Sequence, residues 1–142
     1  MWYRQLNRNA WSYLARQREA STRPFGPAEF KDAKYWLDPG SWIPWSSIQR
    51  VLCLASGGGQ QGALFASLGY DVTVFDLNPD QLARDRRVAR RHGFTITCVE
   101  GDMMDLSALY DTPFDLVYQP ISSLYVPDIR AVYAEVFKVL RP

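Results

Sequence analysis

The chain contains a single histidine and two cysteines, and that scarcity excludes several chemistries. His92 has no cluster of cysteine, histidine or acid at ligand spacing around it, so the sequence offers no metal site. Ser122-Ser123 lacks a histidine partner, which leaves nucleophilic catalysis unsupported. Two cysteines are too few for a disulfide scaffold. Cys53 and Cys98 each fall inside an apolar, strand-like run. If one strand separates them, the ~4.8 Å strand spacing puts them roughly 9–10 Å apart, beyond bridging distance. Both read as buried thiols in a reducing cytosol, and a cytoplasmic protein is expected. No apolar run approaches ~18 residues, so no membrane span is expected. No N-terminal apolar stretch marks a signal peptide either. The formal net charge of +1 supplies no broad electrostatic footprint for an anionic partner.

What is present fits one α/β domain of 142 residues with a real core. Aromatic residues make up 14% of the chain, and many lie in the first 45 residues. Tyr3, Leu6, Ala10, Tyr13 and Leu14 follow helical spacing and predict a helix over 2–20. Pro24, Gly26, Pro27, Pro39, Gly40 and Pro44 then break the pattern, with a short helix expected near 28–37. Residues 1–47 read as an appendage packed beside a main sheet. Its aromatics (Trp11, Tyr13, Trp36, Trp42, Trp45) suit either a lid over a ligand or plain packing on a sheet edge.

From Arg50 the rhythm becomes strand, helix, strand, helix. Strands are expected at 51–55, 71–76, 95–99 and 114–119. Helices are expected at 59–68, 79–92 and 127–140, with a short one at 105–110. Asn78 is placed to cap the second of these helices, with Pro79 in its first turn and Gly93 ending it. Ile129, Val132, Tyr133, Val136, Phe137 and Leu140 form an apolar stripe on the last. The alternation implies a parallel sheet with right-handed crossovers. The last helix should deliver a fifth strand. A four-stranded sheet keeps an open edge, which invites a second copy or a further C-terminal segment.

Gly57-Gly58-Gly59-Gln60-Gln61-Gly62 satisfies G-x-G-x-x-G, follows a strand and opens a helix, the context in which that spacing gains meaning. Glycine permits a tight turn and a close ligand approach, and the helix start points unpaired N–H groups at the ligand. Asp76, ending the second strand, can accept from both hydroxyls of a ribose, or merely cap the turn to Pro79. Asp102 follows the third strand on the same edge. Its carboxylate can accept from an exocyclic amine, and Met103 offers a base an apolar wall and a backbone N–H. Arg84, Arg86, Arg87, Arg90 and Arg91 suit a nucleic-acid contact or, the reading favoured here, a solvated face with Asp80 and Asp85 as counterions.

Across residues 48–142 the chain resembles the class I S-adenosylmethionine-dependent methyltransferases of the small-molecule type. Residues 51–59 look like that family's glycine motif, Asp76 like its ribose-binding acid, and Gly101-Asp102-Met103 like its adenine-contact motif. Phe114-Asp115-Leu116-Val117 looks like its fourth-strand motif, and residues 136–142 resemble the helix end before its fifth strand. The resemblance implies a Rossmann-like, doubly wound parallel sheet of order 3-2-1-4 as far as the chain runs. It implies S-adenosylmethionine as cofactor, S-adenosylhomocysteine as product and a small-molecule methyl acceptor. The implied cofactor residues are Ala55, Ser56, Gly57, Gly59, Asp76, Leu77, Asp102, Met103 and Gln119. No catalytic base is implied. The family usually has an acid at Cys53, which would orient the glycine loop, and a glycine at Ala55. Relative to that family the chain stops early. A nicotinamide-dinucleotide oxidoreductase domain fits the glycines and Asp76 formally, and a non-catalytic module of the same fold is the third reading.

Overall fold

The computed structural model describes residues 1–142. Four parallel strands form the sheet: β1 (Arg50–Leu54), β2 (Asp71–Asp76), β3 (Ile96–Glu100) and β4 (Leu116–Tyr118), ordered β3-β2-β1-β4. The expected doubly wound order is therefore the observed one. Six α-helices accompany it: α1 (Trp2–Arg16), α2 (Pro27–Lys31), α3 (Ala33–Leu37), α4 (Gln61–Ser67), α5 (Pro79–His92) and α6 (Ile129–Val139). The short helix expected at 105–110 is a single 3₁₀ turn, Ser107–Leu109. Past α6, Leu140 pairs in parallel with Phe114, so the backbone there runs beside β4.

Strand alternation sends side chains to two apolar layers. Val51, Cys53, Val72 and Val74 pack with Leu64, Phe65 and Leu82, and α3 adds Ala33 and Leu37 to that face. Leu52, Leu54 and Phe75 pack on the other face with Leu106, Phe114, Val132 and Val139. Cys53 and Cys98 stand at one register across β2, both pairing with Val74, and both thiols are free. Helix α4 lies close on the sheet because Gly62 has no side chain: a Cβ there would sit 2.5 Å from Val74 Cγ2.

Three expected faces are corrected. On α1, Leu6 and Tyr13 are exposed, and the inward side runs through Tyr3 and Ala15. That side meets polar groups at the sheet's edge, which hydrogen-bonding side chains satisfy better than leucine does. On α6 the stripe splits. Val132 and Val139 are buried, Tyr133 and Phe137 are exposed, and Glu135 is buried instead. Glu135 can go inside because it accepts from the Leu106 amide at 2.8 Å and the Tyr110 hydroxyl at 2.7 Å. Burial works against its charge, but these bonds and Lys138 leave its carboxyl below the ordinary value. On α5, Asp85 is not a counterion of a solvated face but has no exposed surface at all. Arg84 likewise folds back, donating to the Ala15 carbonyl at 2.6 Å and to the Thr22 carbonyl.

Candidate functional site

The carboxyl ends of the strands open into a cavity of about 220 Å³. Ala55, Ser56 and Gly57 line it after β1, Asp76 and Leu77 after β2, and Gly101, Asp102 and Met103 after β3. Pro120, Ile121 and Tyr125 come from the segment after β4, and Tyr3, Asn7 and Trp11 of α1 close the remaining side. Parallel strands with right-handed crossovers bring all these loops to one edge, whatever their separation in sequence.

The loop between β1 and α4 needs left-handed backbone. Gly57 and Gly59 have φ of 79° and 76°, and Ala55 holds 46°. An alanine pays about 1–2 kcal/mol for that conformation, and it is held there by its N–H to the Phe75 carbonyl at 2.9 Å. The two halves of the loop face different ways. Ala55 to Gly57 border the cavity. Gly58 and Gly59 face α5: a Cβ on Gly58 would meet the Gln81 carbonyl at 2.5 Å, and one on Gly59 would meet Val88 at 2.7 Å. Gly59 is therefore not among the cavity residues. It serves the loop's seating, and its carbonyl accepts from the Phe25 amide at 2.8 Å.

Asp76 is 8% exposed. One oxygen accepts from the Asn78 amide at 2.7 Å, the turn-capping role that the sequence allowed. The other has no protein partner. Burial pushes its carboxyl up to about 6, against the pull of the Asn78 N–H. Asn78 caps α5 as expected, accepting from Asp80 and Gln81 at 2.8 and 3.2 Å.

Asp102 is held more tightly. Its Oδ2 accepts from the Tyr3 hydroxyl and from Arg4 Nε, the latter at 2.5 Å, and its Oδ1 from the Met104 amide at 3.0 Å. Burial, then the bond to Asp102, raises the Tyr3 phenol above its ordinary value. Further ties fasten α1 across the cavity. Arg8 pairs with Glu100 at 2.6 Å, and Asn7 donates to the Tyr125 carbonyl at 2.7 Å. The Asn78 amide donates to the Arg8 carbonyl at 3.0 Å. Trp11 meets Tyr125 edge to face, centroids 5.3 Å apart.

Of the five aromatics considered for a lid, only Trp11 borders the cavity. Trp36 and Trp42 are exposed, and Trp45 packs on Phe65 and Tyr70. Gln119 does not line the cavity either; its amide contacts Met103 Sδ at 3.2 Å. Sequence reasoning missed Tyr3, Gln81 and Tyr125. A detectable signal existed for Gln81: with Asp85 it forms a polar i, i+4 pair on a helix face that also carries Leu82, Val88 and Ala89. No group of three or more histidine, cysteine or acidic side chains is placed to hold a metal ion.

The profile of the family described as methyltransferase domain matches residues 51–142. The chain is 38% identical over 133 residues to an uncharacterized methyltransferase of Bacillus subtilis, YbaJ, covering 94% of this chain and 52% of the relative. It is 37% identical over 76 residues to the sterol 24-C-methyltransferase erg6 of Aspergillus fumigatus, covering 51% and 20%. Among solved structures it superposes on the glycopeptide N-methyltransferase MtfA complexed with S-adenosyl-L-methionine. The TM-score is 0.59 and the identity 26%, over 80% of this chain and 50% of that one. The chain thus spans about half the length of the Bacillus subtilis relative.

Proposed function

This chain belongs to the methyltransferase-domain family of class I S-adenosylmethionine-dependent methyltransferases, and on that footing we propose that its cavity binds S-adenosylmethionine and that the whole protein methylates a small-molecule acceptor. The observation that carries the reading is Asp76: a cavity-lining carboxylate at the end of β2 with one oxygen unpaired. Paired ribose hydroxyls donate to such a group in a charge-assisted geometry. The residues present fit the rest of the cofactor. Ala55, Ser56 and Gly57 border the cavity with small side chains or none. Leu77 and Met103 supply apolar walls for a base, and Asp102 an acceptor shared with Tyr3 and Arg4. Gly59 acts from behind the loop, and Gln119 through Met103.

When bound, that cofactor supplies an already electrophilic methyl group. The chain's own residues need mainly to orient the acceptor and exclude water. Helix α1 closes one side of the cavity. Ile121 and Tyr125 give the side after β4 an apolar character suited to an organic acceptor. The names of two relatives, a sterol 24-C-methyltransferase and a glycopeptide N-methyltransferase, support an acceptor of that kind over a nucleic acid. Two free thiols suit a reducing compartment, which supports a cytoplasmic setting. No helix is long and apolar enough to cross a membrane.

Calorimetry with S-adenosylhomocysteine tests the reading. Saturable binding that Asp76→Ala weakens by roughly 10²–10⁴-fold is the expected result. Saturable NADH binding with no response to S-adenosylhomocysteine would instead select the oxidoreductase reading.

A further inference from the structure

Two buried polar side chains of α5 hold the glycine loop from behind. Gln81 and Asp85 lie one helical turn apart and are 3% and 0% exposed. The Gly58 amide donates to Gln81 Oε1 at 2.7 Å, and the next amide, Gly59, donates to Asp85 Oδ1 at 2.7 Å. Consecutive N–H groups of one loop are thus taken by consecutive turns of one helix. The second atom of each side chain, Gln81 Nε2 and Asp85 Oδ2, is buried without a partner. Burying a carboxylate to satisfy one amide is costly, since an amide or a hydroxyl could accept as well. Strand β1 provides no acceptor of its own here. Cys53 is a wholly buried thiol whose ionisation burial suppresses.

We infer that Gln81 and Asp85 are positioning residues for the cofactor loop, fixing Gly58 and Gly59 from α5 so that Ala55 to Gly57 face the cavity in one shape. The inference rests on the cofactor reading above for its consequence, but not for its geometry. Gly58 and Gly59 approach α5 so closely that side chains on them would collide with it. The loop and the helix therefore act as one seat. Asp76 caps the start of the same helix through Asn78, so the loop and the ribose-side acid are set by one rigid element. The groups facing Asp85 are Asp76 at the end of β2, Cys53 on β1, Cys98 on β3 and Arg86 on its own helix. Burial carries its carboxyl up to about 8, against the pull of the Gly59 N–H.

Amide hydrogen exchange read by NMR, without ligand, tests the positioning directly. Asp85→Ala should speed exchange at Gly59 by about tenfold or more, the loss expected of one buried hydrogen bond. Asp85→Asn, which keeps a carbonyl acceptor, should stay near wild type. Gln81→Ala should release Gly58 while Gly59 remains protected, and it serves as the arm if Asp85→Ala does not fold. In calorimetry, S-adenosylhomocysteine should bind Asp85→Ala about tenfold or more weakly, with Asp85→Asn restoring most of the affinity. Unchanged exchange at both glycines in folded variants overturns the inference. So does a wild-type affinity in a variant whose glycines exchange freely. A wild-type protein that fails to bind S-adenosylhomocysteine defeats the cofactor reading instead, and the exchange experiment still decides whether the loop is seated by α5.

Discussion

Acidification should act on this protein in two opposite directions through Asp76. Its carboxyl is raised from an ordinary 3.8 to about 6 because burial disfavours the charge. Between those values the folded chain holds a proton that the unfolded chain has released. Stability without ligand therefore rises as pH falls toward the ordinary value, and is lost as pH climbs through about 6. The slope for one such group is at most ~1.4 kcal/mol per pH unit. Asp85, raised to about 8, adds to it in the same direction at higher pH. Cofactor binding runs the other way, because two ribose hydroxyls need the ionised carboxylate as acceptor. Below about pH 6, affinity should fall by up to ~10-fold per pH unit, since a proton must leave before the ligand binds. Each charge-assisted bond contributes ~1.5–3 kcal/mol, so Asp76→Ala should cost about 3–6 kcal/mol, roughly 10²–10⁴-fold in affinity. Asp76→Asn should cost less at neutral pH and should flatten the acid limb. Calorimetry with S-adenosylhomocysteine and thermal melts, both over pH 5–8, measure the two trends. An Asp76→Asn variant with wild-type affinity and an unchanged pH profile would refute the assignment of the ribose to this residue.

Three further substitutions probe the frame around the site. Gly62→Ala ordinarily favours a helix by about 1 kcal/mol, but here the added carbon meets Val74 at 2.5 Å, so urea denaturation should show a loss of about 1–3 kcal/mol. Asn78→Ala removes the cap of α5 and the bond to the Arg8 carbonyl. A loss of at least about 1 kcal/mol is expected from the cap alone, together with faster amide exchange in the first turn of α5. Tyr3→Phe takes one donor from Asp102. Removing a hydrogen bond of about 1 kcal/mol should lower the melting temperature by about 2–4 °C, and stopped-flow measurement should show faster cofactor release.

The strands and helices from Arg50 onward were legible because each carries its own local signal. Val51 to Leu54 is a short apolar run closed by small residues. Asn78-Pro79 and Gly93 bracket α5 by capping chemistry alone. Asp76 and Asp102 reach one cavity because parallel topology leaves strand ends no other choice. The rest depended on contacts that no local pattern encodes. Leu6 and Tyr13 look like the core face of α1 until Asp102 and Tyr125 are known to lie beneath it. Arg84 and Asp85 sit in a run of charges that reads as solvated surface. Only the approach of Gly59 shows that this one acid has an inward partner. Tyr133 and Phe137 carry the same periodicity as Val132 and Val136, and the buried Glu135 shows which way the helix is turned.

The stitching between the first 47 residues and the sheet has a practical consequence. A chain begun at Ile48 would keep every strand and the whole glycine motif. It would nonetheless uncover Leu64 and Phe65 where Ala33 and Leu37 now cover them. It would also strip the Gly59 carbonyl, the Gln60 amide and the Arg84 guanidinium of their partners at Phe25, Ser21, Arg23, Thr22 and Ala15. Such a product would hold the recognisable motifs and lose the wall that keeps them in shape, so trimming by motif boundaries alone would yield a sticky and ligand-blind fragment.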